Sequence, residues 1–92
     1  MRTIKEIGLS NLKEKTKIKF AKDTYAIVTN YESNISNLTG VISNINLKDG
    51  YIWVKLDKPH KDFKDYDNEV QFGLSEDSSG THISYLLKSF VI

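Results

Sequence analysis

No cysteine occurs among the 92 residues, which excludes a disulfide framework, a thiolate zinc site and a thiol nucleophile, so the fold must hold by packing and backbone pairing. A reducing compartment suits such a chain, and the expected location is cytoplasmic. No stretch approaches the ~20 apolar residues of a membrane span, and the opening MRTIKEIGLSNLKEK lacks the apolar run of a signal peptide. Histidine is scarce as well. His60 and His82 are the only histidines, and both lie in polar segments with no sequence neighbour to hold them for acid–base work. Without a Gly-x-Ser-x-Gly elbow, a phosphate loop or a His-Glu-x-x-His pair, no catalysis and no cofactor are expected. Arginine is reduced to Arg2, proline to Pro59 and tryptophan to Trp53.

What remains is one domain over residues 1–92, with a thin core, because a chain of this size hides a smaller share of its surface than a larger one. The formal charge of +1 conceals an asymmetry. Residues 1–22 carry seven basic side chains against Glu6 and Glu14, whereas residues 57–77 carry seven acids against Lys58, Lys61 and Lys64. Such a dipole means either separate basic and acidic sites or two segments that neutralise each other in space, and the second is the plainer expectation.

Residues 1–14 form an arm or a short helix, with Ile4, Ile7 and Leu12 on one side and Gly8 weakening it. A first strand is expected over Lys15 to Ala21 and a second over Thr24 to Asn30; Tyr25 and, just beyond it, Tyr31 share the parity of Ile27, which makes them candidates for the core. NYESNISN reads as a polar loop. The central hairpin spans Thr39 to Leu56, and the charged segment 57–68 crosses to a fifth strand in which Val70, Phe72 and Leu74 alternate. A turn follows at 75–81. The end begins with a helical turn that brings Ile83, Leu86 or Leu87 to the core and closes in a strand over Ser89 to Ile92. Five or six short strands separated by frequent turns predict an all-β fold, a small barrel or sandwich with minor helix.

The central hairpin is the most informative stretch. Asp49-Gly50 supplies a tight turn, because glycine tolerates the positive φ that such turns require. After it, Ile52, Val54 and Leu56 alternate with Tyr51, Trp53 and Lys55, so one face is core. With an even-length turn the aliphatic trio lies across from Ile45 and Val41 or Leu47, while Tyr51 and Trp53 face Asn44, Asn46 and Lys48. Trp53, Tyr51, Lys55 and Asn46 are therefore the candidate contact residues, since tryptophan and tyrosine offer large rigid area with one polar tip. The contrary expectation is that the first 12 residues fold over Trp53 and hide it.

A nucleic-acid reading competes with a protein partner. Lys13, Lys15, Lys17 and Lys19 on an extended strand would stand about 6.6 Å apart on one face, and with Trp53 and Tyr51 as stacking surfaces they resemble the composition of single-strand binders. The same lysines serve equally as the charged guard of an edge strand. The acidic crossing segment, with Phe63 and Tyr66 between its carboxylates, is a further candidate contact, although Tyr66 is better read as an anchor for that segment. Asp65, Asp67, Glu69 and Glu76 have the spacing of a calcium loop, but Val70 occupies the place that needs glycine, so no metal is expected. An exposed aromatic pair and open sheet edges would also suit a homodimer.

Thr39-Gly40-Val41-Ile42, Ile45 and Asp49-Gly50-Tyr51-Ile52-Trp53-Val54-Lys55-Leu56-Asp57 resemble the central hairpin of the SH3-like small barrels, which include Tudor-like and KOW-type modules. Asp65-Tyr66-Asp67-Asn68-Glu69-Val70-Gln71-Phe72 is similar to a segment of small phage and plasmid proteins. The resemblance covers about a third of the chain and implies an SH3-like barrel that binds a macromolecule as an accessory factor of a phage or mobile element. It implies nothing about the partner, because such barrels host many unrelated roles.

Overall fold

The strands form where alternating side chains can put one face on a common core. In the computed structural model, which describes residues 1–75 and 80–92, these are β1 (Lys17–Lys19), β2 (Tyr25–Val28), β3 (Tyr31–Asn34), β4 (Thr39–Asn46), β5 (Tyr51–Leu56), β6 (Glu69–Gly73), β7 (Thr81–His82) and β8 (Phe90–Val91). Six of them make one curled, half-barrel sheet in the order β7-β6-β5-β4-β1-β8, and β2 with β3 makes a small second sheet. The pairings are antiparallel except for β6 with β7. Two short helices, α1 (Ile4–Ile7) and α2 (Ser84–Leu87), and two 3-10 turns complete the mainly β chain. The expected turn at 75–81 falls largely on residues 76–79, outside the described residues.

The concave side holds Ile18, Ile42, Ile52, Val54, Val70 and Phe72, all buried, with Phe20 packed on Phe72 at 5.8 Å between ring centroids. Each such side chain is worth about 1.5–3 kcal/mol of burial, so a one-residue slip in β5, which would turn its aliphatic face to water, is strongly disfavoured. The two-stranded sheet contributes Ala26 and Val28, the segment after it Ile35, and the end of the chain Ile83 and Leu86.

The N-terminal arm is a very short helix, fixed by a reciprocal cap in which the Thr3 hydroxyl accepts from the Glu6 N–H at 3.2 Å and the Glu6 carboxylate accepts from the Thr3 N–H at 3.0 Å. Its backbone then closes the free edge of β8: the Val91 N–H donates to the Arg2 carbonyl at 2.8 Å and the Ile4 N–H to the Ser89 carbonyl at 2.9 Å. Ile4 and Leu12 enter the core from this side.

Several expectations are corrected. The first strand is shorter than Lys15 to Ala21, because residues 13–16 form a turn closed by the Thr16 N–H on the Lys13 carbonyl, with Lys15 at φ 73°. NYESNISN is not a loop throughout: Tyr31–Asn34 pairs with β2, joined by Thr29 and Asn30, and Thr29 has φ 54°. Tyr25 and Ile27 are 38% and 50% exposed, since the inward positions of β2 are Ala26 and Val28, and Tyr31 is 48% exposed. Leu74 lies beyond the end of β6 and is exposed.

Candidate binding face and cleft

The β4–β5 hairpin sets the geometry. Asn46 pairs with Tyr51 across a four-residue connection, and Gly50 takes φ 80°, as the Asp49-Gly50 pair anticipated. Ile45 then lies opposite Ile52, and Asn44 opposite Trp53. Beyond that point a bulge at Ser43 inserts one residue, and the Ser43 hydroxyl donates to the Trp53 carbonyl at 3.2 Å. The bulge reverses the phase of the rest of β4. Ile42, not Val41, occupies the inward place opposite Val54, and Val41 faces outward beside Lys55.

On β5 the outcome is a clean division. Ile52 and Val54 are 0% exposed, Trp53 and Tyr51 are half-buried on the opposite face, and Lys55 is exposed. Asn46 is engaged in the turn: its side-chain carbonyl accepts from the Asp49 N–H at 3.0 Å and its amide donates to the Asp49 carboxylate at 2.9 Å. It therefore holds the hairpin that presents Tyr51.

The lysines divide. Lys17 and Lys19 lie on β1, Lys17 beside Val41 and Lys19 beside Thr39, so a row on the outer face runs Lys17, Val41, Lys55, Glu69 across four strands. Lys13 and Lys15 are exposed in the preceding turn, so the continuous four-lysine strand is not formed. In that turn region the Glu14 carboxylate accepts from the Ile45 N–H at 3.1 Å, a contact that caps the backbone of β4 where β1 has ended.

Trp53 also borders a cleft of about 280 Å³. The sheet contributes Trp53, Glu69 and Gln71, β2 and its turn contribute Ile27 and Thr29, and the 3-10 turn Lys61–Tyr66 contributes Phe63 and Tyr66. None of residues 1–12 lines it; the arm docks on β8 and α2 instead. Tyr66 is 47% exposed, and its hydroxyl meets the Thr29 hydroxyl at 3.0 Å, which ties the crossing segment to the β2–β3 turn. The sequence singles out Trp53 and Tyr66, but it places Ile27 in the core, gives Thr29 no role, and offers Glu69 only as one of the acids with calcium-loop spacing; the placement of Ile27 and Thr29 depends on the phase of β2.

The crossing segment is locked from two sides. The Asn68 side chain accepts from the His60 N–H at 3.0 Å and donates to the carbonyls of Leu56 at 3.1 Å and Lys58 at 2.9 Å. Asp67 and Asn68 are both left-handed, at φ 55° and 59°, which turns the chain into β6. On the other side the Asp62 carboxylate accepts from Ser33 at 2.6 Å and Tyr31 at 3.0 Å. These bonds, the Ser33 hydroxyl foremost, hold the Asp62 carboxyl below its ordinary value, and the Tyr31 hydroxyl's own bond to Asp62 raises the Tyr31 phenol. His60 Nδ1 accepts from the Asp62 N–H at 3.1 Å, and the ring lies edge-on to Phe63. His82 caps the entry to α2, its Nδ1 accepting from the Ser84 N–H at 3.1 Å. Both histidines are thus engaged in local backbone structure. Among the described residues, no group of three or more His, Asp or Glu side chains is disposed to hold a metal ion, and no helix is long and apolar enough to cross a membrane.

No protein-family model, curated protein or solved structure matches this chain.

Proposed function

We propose that this chain is a non-enzymatic binding module that docks a partner protein through the outer face of β5 and the cleft beside it. The observation that carries the reading is the division on β5: Ile52 and Val54 are sealed in the core while Trp53, half-buried, stands on the outer face next to an open aromatic cleft. A large rigid ring partly desolvated before binding is the kind of anchor on which interfaces concentrate their energy. Tyr51 and Lys55 flank it on the same face, and Asn46 supports the turn. The likeness of the hairpin to SH3-like binding modules, and of the 65–72 segment to small phage and plasmid proteins, supports an accessory role.

A second reading has its own support. Lys17, Lys19 and Lys55 share the outer face with Trp53, so a single nucleic-acid strand could run across the sheet. The two separate on salt: release of counterions from about three phosphates makes affinity fall steeply between low and physiological salt, whereas an aromatic-anchored protein contact changes little. Affinity capture from the host lysate with and without nuclease, using the wild-type chain and Trp53→Ala as paired baits, tests the proposal. A protein retained after nuclease by the wild type and lost by the variant supports it; material lost on nuclease treatment, or held equally by both baits, overturns it.

A further inference from the structure

We propose that the cleft beside Trp53 receives a cationic side chain, lysine or arginine, of the partner; the inference rests on the protein-binding reading and names what that site recognises. Three rings border the cleft: Trp53 on β5, Phe63 buried beneath the 3-10 turn, and Tyr66 with its hydroxyl held by Thr29. Ring faces attract a cation through their quadrupole, tryptophan most strongly. Glu69 also lines the cleft, half-buried, and is the sole charged side chain among its described lining residues.

Among the described residues, the carboxylate of Glu69 is uncommitted. Lys55 lies directly across the strand from it, yet among the described residues neither forms an ion pair within 4.0 Å or a side-chain hydrogen bond, and Lys55 does not border the cleft. A cavity with aromatic walls and one unpaired acid favours positive charge and repels phosphate or carboxylate. Its volume, about 280 Å³, falls just below the ~300–1,000 Å³ range of small-molecule sites, which suits one long side chain. The orientation is already set, since the Tyr66–Thr29 contact fixes one wall and the β5–β6 pairing fixes Trp53 and Glu69. A cation entering therefore adds little ordering cost.

Trp53 is the only tryptophan, so its emission and its indole N–H resonance report on this cleft without labelling. The probes are n-butylammonium and n-butylguanidinium, as lysine and arginine tips, with 1-butanol as the neutral counterpart and acetate and a short oligothymidylate as anions. The expected result is saturable shifts of the Trp53 indole and the Glu69 and Gln71 amides, with at least one cation bound about fivefold or more tightly than butanol. Glu69→Gln should reduce that preference and leave butanol unchanged, while Lys55→Gln should preserve or increase cation binding. Equal response to butanol and to both cations, or a response confined to the anions, overturns the proposal. The wild-type comparison stands even if a variant does not fold. Because the probes need no partner, failure here leaves protein binding through the outer face intact, and failure to find a partner leaves cation binding by the cleft intact.

Discussion

Gly40 is the position where the hairpin leaves no room for a side chain, and Gly40→Ala isolates that constraint. A Cβ built there would lie 2.7 Å from the Lys55 carbonyl oxygen and 2.9 Å from Val54 Cγ1. The second contact can ease by a small rotation, but the first is backbone of a central strand paired on both sides. β4 must therefore move away from β5, lengthening the ladder at the Gly40–Leu56 pair and disturbing Val41 and Lys55 on the outer face. Overpacking of a tight interior costs about 1–3 kcal/mol, and a backbone obstacle places this case at the upper end. At about 4–8 °C per kcal/mol for a domain of this length, Tm falls by roughly 10–20 °C. Gly50→Ala is the control with a different cause: the nearest atom is Leu74 Cβ at 3.7 Å, so space is available and only the positive φ of 80° is penalised, at about 1–2 kcal/mol. Thermal melts followed by circular dichroism and by Trp53 emission measure both. The reasoning is refuted if Gly40→Ala melts with the wild type, or if Gly50→Ala proves the more damaging.

Asn68→Ala removes three side-chain hydrogen bonds at about 1 kcal/mol each and puts alanine at φ 59°, so urea denaturation should show a loss of about 3–4 kcal/mol; a loss below about 1 kcal/mol would contradict the locking role. For Asp62, whose folded carboxyl titrates below its unfolded value of about 3.9, the contribution to stability is fully present above that value and is lost as pH falls through the lower folded one. Asp62→Asn should thus flatten the acid limb of the stability–pH curve below about pH 4, and an unchanged acid limb would be the adverse result. Tyr31 titrates in the opposite sense: its raised folded value keeps the stability of the neutral phenol beyond its ordinary range near pH 10, and that contribution disappears as pH rises through the raised value. Asp62→Asn should move this alkaline transition, read from tyrosinate absorbance, toward its ordinary position.

The central hairpin was legible because its signals agree: a turn pair with glycine, and a period of two in β5 with aliphatic residues at every inward place. Its one surprise, Val41 outward and Ile42 inward, comes from the bulge at Ser43, which no local residue preference announces and which lets Ile42, buried, and Ile45, partly buried, both face inward. β2 was found but in the wrong phase. Tyr25 and Ile27 carry more apolar surface than Ala26 and Val28, yet the smaller pair fits against the core and leaves the larger pair outside. β3 was hidden because Tyr31, Glu32, Ser33 and Asn34 are polar or ambivalent, and its inward Ser33 is satisfied by Asp62, a partner far away in sequence. The lysine strand failed at Lys15, whose left-handed backbone ends the extension. Within the site, Trp53 and Tyr51 followed from strand period alone, whereas Ile27, Thr29, Tyr66 and Glu69 meet only through long-range packing.

The most direct test of the outer face as the docking surface is the affinity of the captured partner for Trp53→Ala against the wild type, measured by titration calorimetry alongside the melting temperature of each chain. The account predicts a loss of about 2 kcal/mol or more, near 30-fold in Kd, in a variant that still folds cooperatively. Undiminished affinity in a chain whose melting temperature has dropped would assign the indole to the packing of the monomer alone and contradict the account.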